Sequence, residues 1–217
     1  MIRPLAAAAL AALLAAPAGA AAATPDPLPA TVASARGRIA VSLDLSAAFA
    51  PALERRLGNG LTNVVTVFVA LVPEADGEPV AVTGRFVEVL YDVWDEAYAV
   101  TIRDARLSRP VRRTAGDFAA LRRLLADGRD LDLGPAALLP AGPFHVEARV
   151  EINPVSRELM QRTRELLANP AAGTRPGAGT RSVLGAMAGY LLREPDAGDD
   201  VHLLRSRVLA RGDVVTR

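Results

Sequence analysis

Cysteine and lysine are both absent from the 217 residues, histidine occurs twice, and the aromatics amount to five phenylalanines, three tyrosines and one tryptophan. Without cysteine there is no disulfide framework and no lipid-modified cysteine. Without lysine a Gly-x-x-x-x-Gly-Lys phosphate loop cannot be written, and neither a Gly-x-Ser-x-Gly elbow nor a His-Glu-x-x-His pair occurs. The two histidines make a poor zinc set: His145 alternates with Glu147 on the polar side of a strand pattern and His202 follows Asp199-Asp200, so both read as solvated polar residues. No metal and no cofactor are expected.

An excess of charge of either sign is missing as well. Arginines number 25 against 24 acids, and loss of the leading segment removes Arg3 and no acid, leaving a neutral chain. Nucleic acid is therefore not an expected partner. Arginine as the sole basic residue, together with abundant alanine, reads as coding bias rather than as a binding device.

What is present begins with MIRPLAAAALAALLAAPAGAAAAT: one positive charge, a short Ala/Leu run and small residues around Pro17, the pattern of a secretory signal peptide over residues 1–23. The apolar run is too short for a membrane anchor, so the expectation is a periplasmic or secreted chain starting near Ala21 or Thr24. Residues 24–35, rich in proline, read as an extended leader. Residues 36–170 read as a β-rich core domain, 171–181 as a flexible joint, and 182–217 as a C-terminal helix and strand extension.

Within the core domain Ile39, Val41, Leu43 and Leu45 alternate with polar residues, predicting a half-buried strand. Phe49, Leu53 and Leu57 predict one amphipathic helix over 46–57. Residues 61–73 are almost continuously apolar and β-branched, as in a strand covered on both faces. Two further strands, 80–91 and 98–104, place Asp92 to Glu96 in a hairpin loop. A helix over 114–127 is predicted to be capped by Thr114, with Phe118, Leu121, Leu124 and Leu125 inward. Residues 128–142 read as a packed-down loop, and 144–152 as a strand with one core face and one wet face. Asn153-Pro154 opens a last helix to Asn169. The fold class is mainly β or α+β: an antiparallel, sandwich-like sheet with two or three covering helices.

The order of "LSAAFAPALERRLGNG" (45–60), "VVTVFVALV" (64–72), "VLYDVWDEAYAV" (89–100), "FAALRRLLA" (118–126) and "FHVEARVEIN" (144–153) resembles a family of exported bacterial proteins, the domain of unknown function 4390. The likeness spans roughly 36–155; this chain has fewer aromatics after the second strand and a longer tail than that pattern. The resemblance implies a periplasmic protein and, as a partner, a membrane sensor kinase. It brings no catalytic residues.

Three candidate sites follow. Tyr91, Trp94 and Tyr98 at one hairpin end suit a protein contact, if they do not simply cover the strand tips. Asp92, Asp95 and Glu96 beside them could serve as an acid/base pair or bind a hard cation such as calcium, although their spacing lacks the Asp-x-Asp-x-Asp-Gly pattern and carboxylates are ordinary in turns. Arg103, Arg106, Arg109, Arg112 and Arg113 recur at nearly three-residue steps and could line an anion or headgroup site, or merely a solvated strand exit. The expected function is a non-enzymatic binding or adaptor module acting through an envelope protein. The alternatives are a lipid- or anion-binding protein in contact with, but not spanning, the membrane, and a carboxylate-dependent hydrolase.

Overall fold

The alternation of Ile39, Val41 and Leu43 does set a strand, and it joins nine others in two stacked sheets. The computed structural model describes residues 27–104, 107–154 and 200–216. Within them run β1 (Ala30–Ala35), β2 (Arg38–Asp44), α1 (Glu54–Leu57), β3 (Thr62–Pro73), β4 (Ala81–Asp92), β5 (Ala97–Asp104), β6 (Val111–Ala115), α2 (Phe118–Ala126), β7 (Asp127–Pro135), β8 (Phe144–Ile152), β9 (Val201–Arg205) and β10 (Val215–Thr216). The signal segment, the body of the helix read after Asn153, the joint at 171–181, the apolar segment at 182–192 and Arg106 lie outside the described residues.

Six strands form one antiparallel sheet in the order β6-β5-β4-β3-β8-β9, and β10-β1-β2-β7 form a second. The facing sides share one core: Val32, Ile39, Val41, Leu43, Leu131 and Leu133 from the smaller sheet meet Val65, Val67, Val69, Val87, Val89, Val146 and Val150 from the larger. Each such side chain contributes about 1.5–3 kcal/mol on burial. Leu57 of α1 and Leu121 and Leu125 of α2 close the core. This is a β-sandwich-like α+β fold, as the sequence predicts. The continuous apolar run of β3 is buried on both sides, with Phe68, Ala70 and Val72 in a second cluster on the face turned away from the core.

The differences have local causes. Residues 30–35 are β1 rather than a leader, paired to β2 through a two-residue turn in which Arg36 (φ 49°) and Gly37 (φ 73°) are both left-handed. That geometry matches the twist of paired strands. The helix read over 46–57 is broken: short 3-10 turns at Ser46–Ala48 and Pro51–Leu53 precede α1, because Pro51 cannot continue a helix begun at Ser46. The cap of α2 is Asp117, whose carboxylate accepts from the Ala120 amide at 2.6 Å, while Thr114 belongs to β6.

Residues 128–135 lie in strand β7, not in a loop. Leu131 and Leu133 point inward, and Asp132 accepts from Arg38 Nε of β2 at 3.0 Å. Gly128 is required there, because a Cβ would stand 2.6 Å from the Leu43 carbonyl oxygen. Asn153, expected to cap a helix, has a φ of 53° and turns its side chain to β3 instead, accepting from the Val64 amide at 2.8 Å. On β8 the expected wet face is buried: Arg149 and Glu151 are 4% and 3% exposed and form an ion pair at 2.6 Å.

Candidate functional site: the β4–β5 hairpin tip

β4 and β5 pair down to Asp92 opposite Ala97, leaving Val93 to Glu96 as the loop. Asp92 organises it, its Oδ1 accepting from the amides of Trp94 at 2.9 Å and Asp95 at 3.2 Å. Glu96 closes it in the left-handed region at φ 48°. A side-chain oxygen that bonds amides two and three residues on holds a turn in one shape. With the turn so fixed, Trp94 stands 90% exposed, beside Val93 at 58%. Leu61, 67% exposed, lies in the α1–β3 connection that meets this loop: a Cβ on its neighbour Gly60 would sit 3.7 Å from Val93 Cγ1. Leu90, also exposed, precedes the loop. Indole offers some 150–250 Å² of apolar surface. Large apolar side chains exposed together on a rigid element mark an interaction surface.

The three aromatics are separated by this geometry. Tyr91 and Tyr98 face each other across the strands with ring centroids 4.8 Å apart, and Tyr98 is 4% exposed. Burial, followed by the charge of Glu54 and the neighbouring Tyr91 and Asp117, pushes the Tyr98 phenol pKa upward. Tyr98 thus belongs to the core, Tyr91 is half-buried, and Trp94 is the one offered to solvent. Val93 and Leu61 were not singled out from sequence, although an apolar Val-Trp pair inside a loop otherwise made of acids was the signal for the first.

Asp92 is engaged with the backbone, and Asp95 and Glu96 are exposed. Among the described residues no group of three or more His, Cys, Asp or Glu side chains could hold a metal ion.

The described arginines of the run, Arg103, Arg109, Arg112 and Arg113, are distributed over β5, the following loop and β6. Arg112 and Arg113 are adjacent on β6, opposite Thr101 and Val100, and so face opposite sides of the sheet. Arg103 shares the side of Arg112, and Arg109 is exposed in the preceding loop. An open groove of about 550 Å³ elsewhere is bordered by Arg129 and Arg207, but these pair with Asp127 at 2.6 Å and Asp213 at 3.6 Å.

His145 is not solvated as expected. It is buried on β8 with Nδ1 hydrogen-bonded to Glu74 and Nε2 3.0 Å from Glu147 Oε1, while Arg205 Nη2 lies 3.0 Å from Glu74 Oε1. Hydrogen bonding to His145, reinforced by Arg205, holds the Glu74 carboxyl below the usual glutamate range despite partial desolvation. Both ring nitrogens face carboxylates, an arrangement that ties β8 to the residue following β3. His202, beside Asp200 at 3.5 Å, is partly exposed as expected.

No family model matches the chain, and neither the curated proteins nor the solved structures give a match.

Proposed function

We propose that the chain is an exported, non-enzymatic binding or adaptor module that engages a protein partner through the β4–β5 hairpin tip. The observation that carries this reading is Trp94, 90% exposed on a loop whose shape Asp92 holds. Tryptophan is enriched among residues that dominate binding energy, and a rigid loop loses little entropy on docking. Export to the periplasm rests on residues 1–23, and a membrane sensor kinase is the partner class implied by the resemblance to the domain of unknown function 4390.

A lipid- or anion-binding role has less support, because Arg103, Arg109, Arg112 and Arg113 are spread over a strand, a loop and two faces of an edge strand. A hydrolase has less again, with Asp95 and Glu96 exposed and Asp92 in the loop's own hydrogen bonds. The test is a pull-down from periplasm and solubilised membranes with the mature chain, comparing wild type with Trp94→Ala. A specific protein lost with Trp94→Ala supports the adaptor role. Recovery of lipid without protein would replace it with the membrane alternative.

A further inference from the structure

We infer that the hairpin tip is built for a cationic protein surface: an apolar pocket that receives Trp94, with arginine or lysine at its rim. This inference rests on the adaptor reading and adds the chemistry of the partner. From Phe86 to Ile102 the chain carries four carboxylates and no arginine, in a protein whose 25 arginines nearly match its 24 acids. The local excess is therefore a property of the outer part of this hairpin; Arg85 and Arg103 lie just below it, and Arg113 of β6 stands opposite Val100.

The placement of these charges carries the inference further. Asp95 and Glu96 directly follow the exposed indole in sequence, both are solvent-exposed, and neither forms an ion pair among the described residues. Other acids are matched with arginines, as in Arg38–Asp132, Arg85–Asp104 and Arg129–Asp127, while the exposed Asp76 and Glu78 of the β3–β4 turn share the unpaired state without an apolar side chain such as Trp94 beside them. Just behind the tip, the charges of Glu54 and Asp117 act on Tyr98, adding to the burial that disfavours its ionisation. Arg56 of α1 is already held by Asp200. An apolar centre with a one-signed rim is how interfaces combine affinity with orientation, the centre excluding water and the rim steering approach.

The same field argues against an anionic bilayer as the occupant. Shallow insertion of Trp94, Val93 and Leu61 would press Asp95 and Glu96 against lipid phosphates, whereas surface-binding elements carry basic residues there.

The test places the photocrosslinking residue p-benzoylphenylalanine at Val93, leaving Trp94 intact, in the full chain with its own leader, expressed in cells. Crosslinked peptides on the partner are sequenced. The parallel variant Asp95→Arg with Glu96→Arg alters two exposed side chains and leaves the Asp92 hydrogen bonds in place; an unchanged thermal midpoint verifies its fold. The expected result is one discrete protein adduct, its crosslinked segment bounded by arginine or lysine, with a yield about tenfold lower in the charge-reversed variant.

An adduct that maps to an acidic surface, or that survives charge reversal in full, would overturn the cationic partner while leaving the adaptor reading in place. An adduct with a second copy of this chain would overturn both, as would the absence of any protein adduct. So would a blue shift of the single tryptophan's emission on phosphatidylglycerol vesicles that Trp94→Ala abolishes together with vesicle binding.

Discussion

On β8 the charged side chains of Arg149 and Glu151 are 4% and 3% exposed, whereas at the end of β4 an indole is 90% exposed. Each region reverses the ordinary placement of polar and apolar groups, but the β8 reversal is satisfied internally and the hairpin reversal is not. Arg149 and Glu151 answer each other at 2.6 Å, and His145 stands between Glu74 and Glu147. Trp94, Asp95 and Glu96 have no such answer among the described residues. The contrast separates groups that hold the fold from groups offered to something else.

The largest effect is expected on β8. Arg149→Ala takes from the buried Glu151 carboxylate the guanidinium 2.6 Å away and should cost about 3–5 kcal/mol in chemical denaturation. Replacing both residues, Arg149→Met with Glu151→Leu, removes both charges of the pair and should cost less; equal losses would show that the ion pair is not what matters there. Next comes the pair of aromatics that differ only in placement. Tyr98→Ala removes a buried ring and should cost about 3–4 kcal/mol, while partner binding falls only as far as the fold is lost.

His145→Gln sharpens the β8 side through pH. The Glu74 carboxyl is held below its ordinary range chiefly by His145, so its contribution to stability is present above that range and is lost as pH falls through the lowered value. In the glutamine variant the Glu74 titration, followed by carboxyl carbon NMR, should move up toward the ordinary range, and acid unfolding should begin at higher pH. An unmoved titration would assign the lowering to Arg205 instead. Asp117→Ala removes the cap of α2 and should cost about 1 kcal/mol, detectable as a shifted denaturation midpoint. Smallest of all in stability is Trp94→Ala, within about 0.5 kcal/mol of wild type.

How far this contrast was legible in the sequence differs between its two halves. The hairpin was readable because Val89, Tyr91, Tyr98 and Val100 frame a run of Asp and Glu, and strand length fixes where the chain must turn. Which aromatic would be exposed was not, since Tyr98 and Trp94 differ by whether they fall in the ladder or in the loop, and that depends on register. On β8 the same alternation that located the strand gave the wrong environment for three of its polar residues: His145 looks wet until Glu74 and Arg205 are brought alongside from distant positions, and Arg149 and Glu151 are buried as a pair. β7 escaped notice because Gly128, Asp130 and Asp132 are poor strand formers by propensity. Long-range pairing with β2 overrides it there. β1 is hidden in the sequence because Pro25, Pro27 and Pro29 just before it give the segment the composition of a leader, and the Arg36-Gly37 turn that pairs it to β2 is only two residues long.

The most direct measurement compares the affinity of wild type and Trp94→Ala for the protein crosslinked from position 93, alongside their unfolding midpoints. The account predicts binding weakened about 30-fold or more, in line with an interface hot spot, with the midpoint unchanged. Equal affinity, or a loss of binding that merely follows a loss of stability, would contradict the claim that the hairpin tip is the binding element.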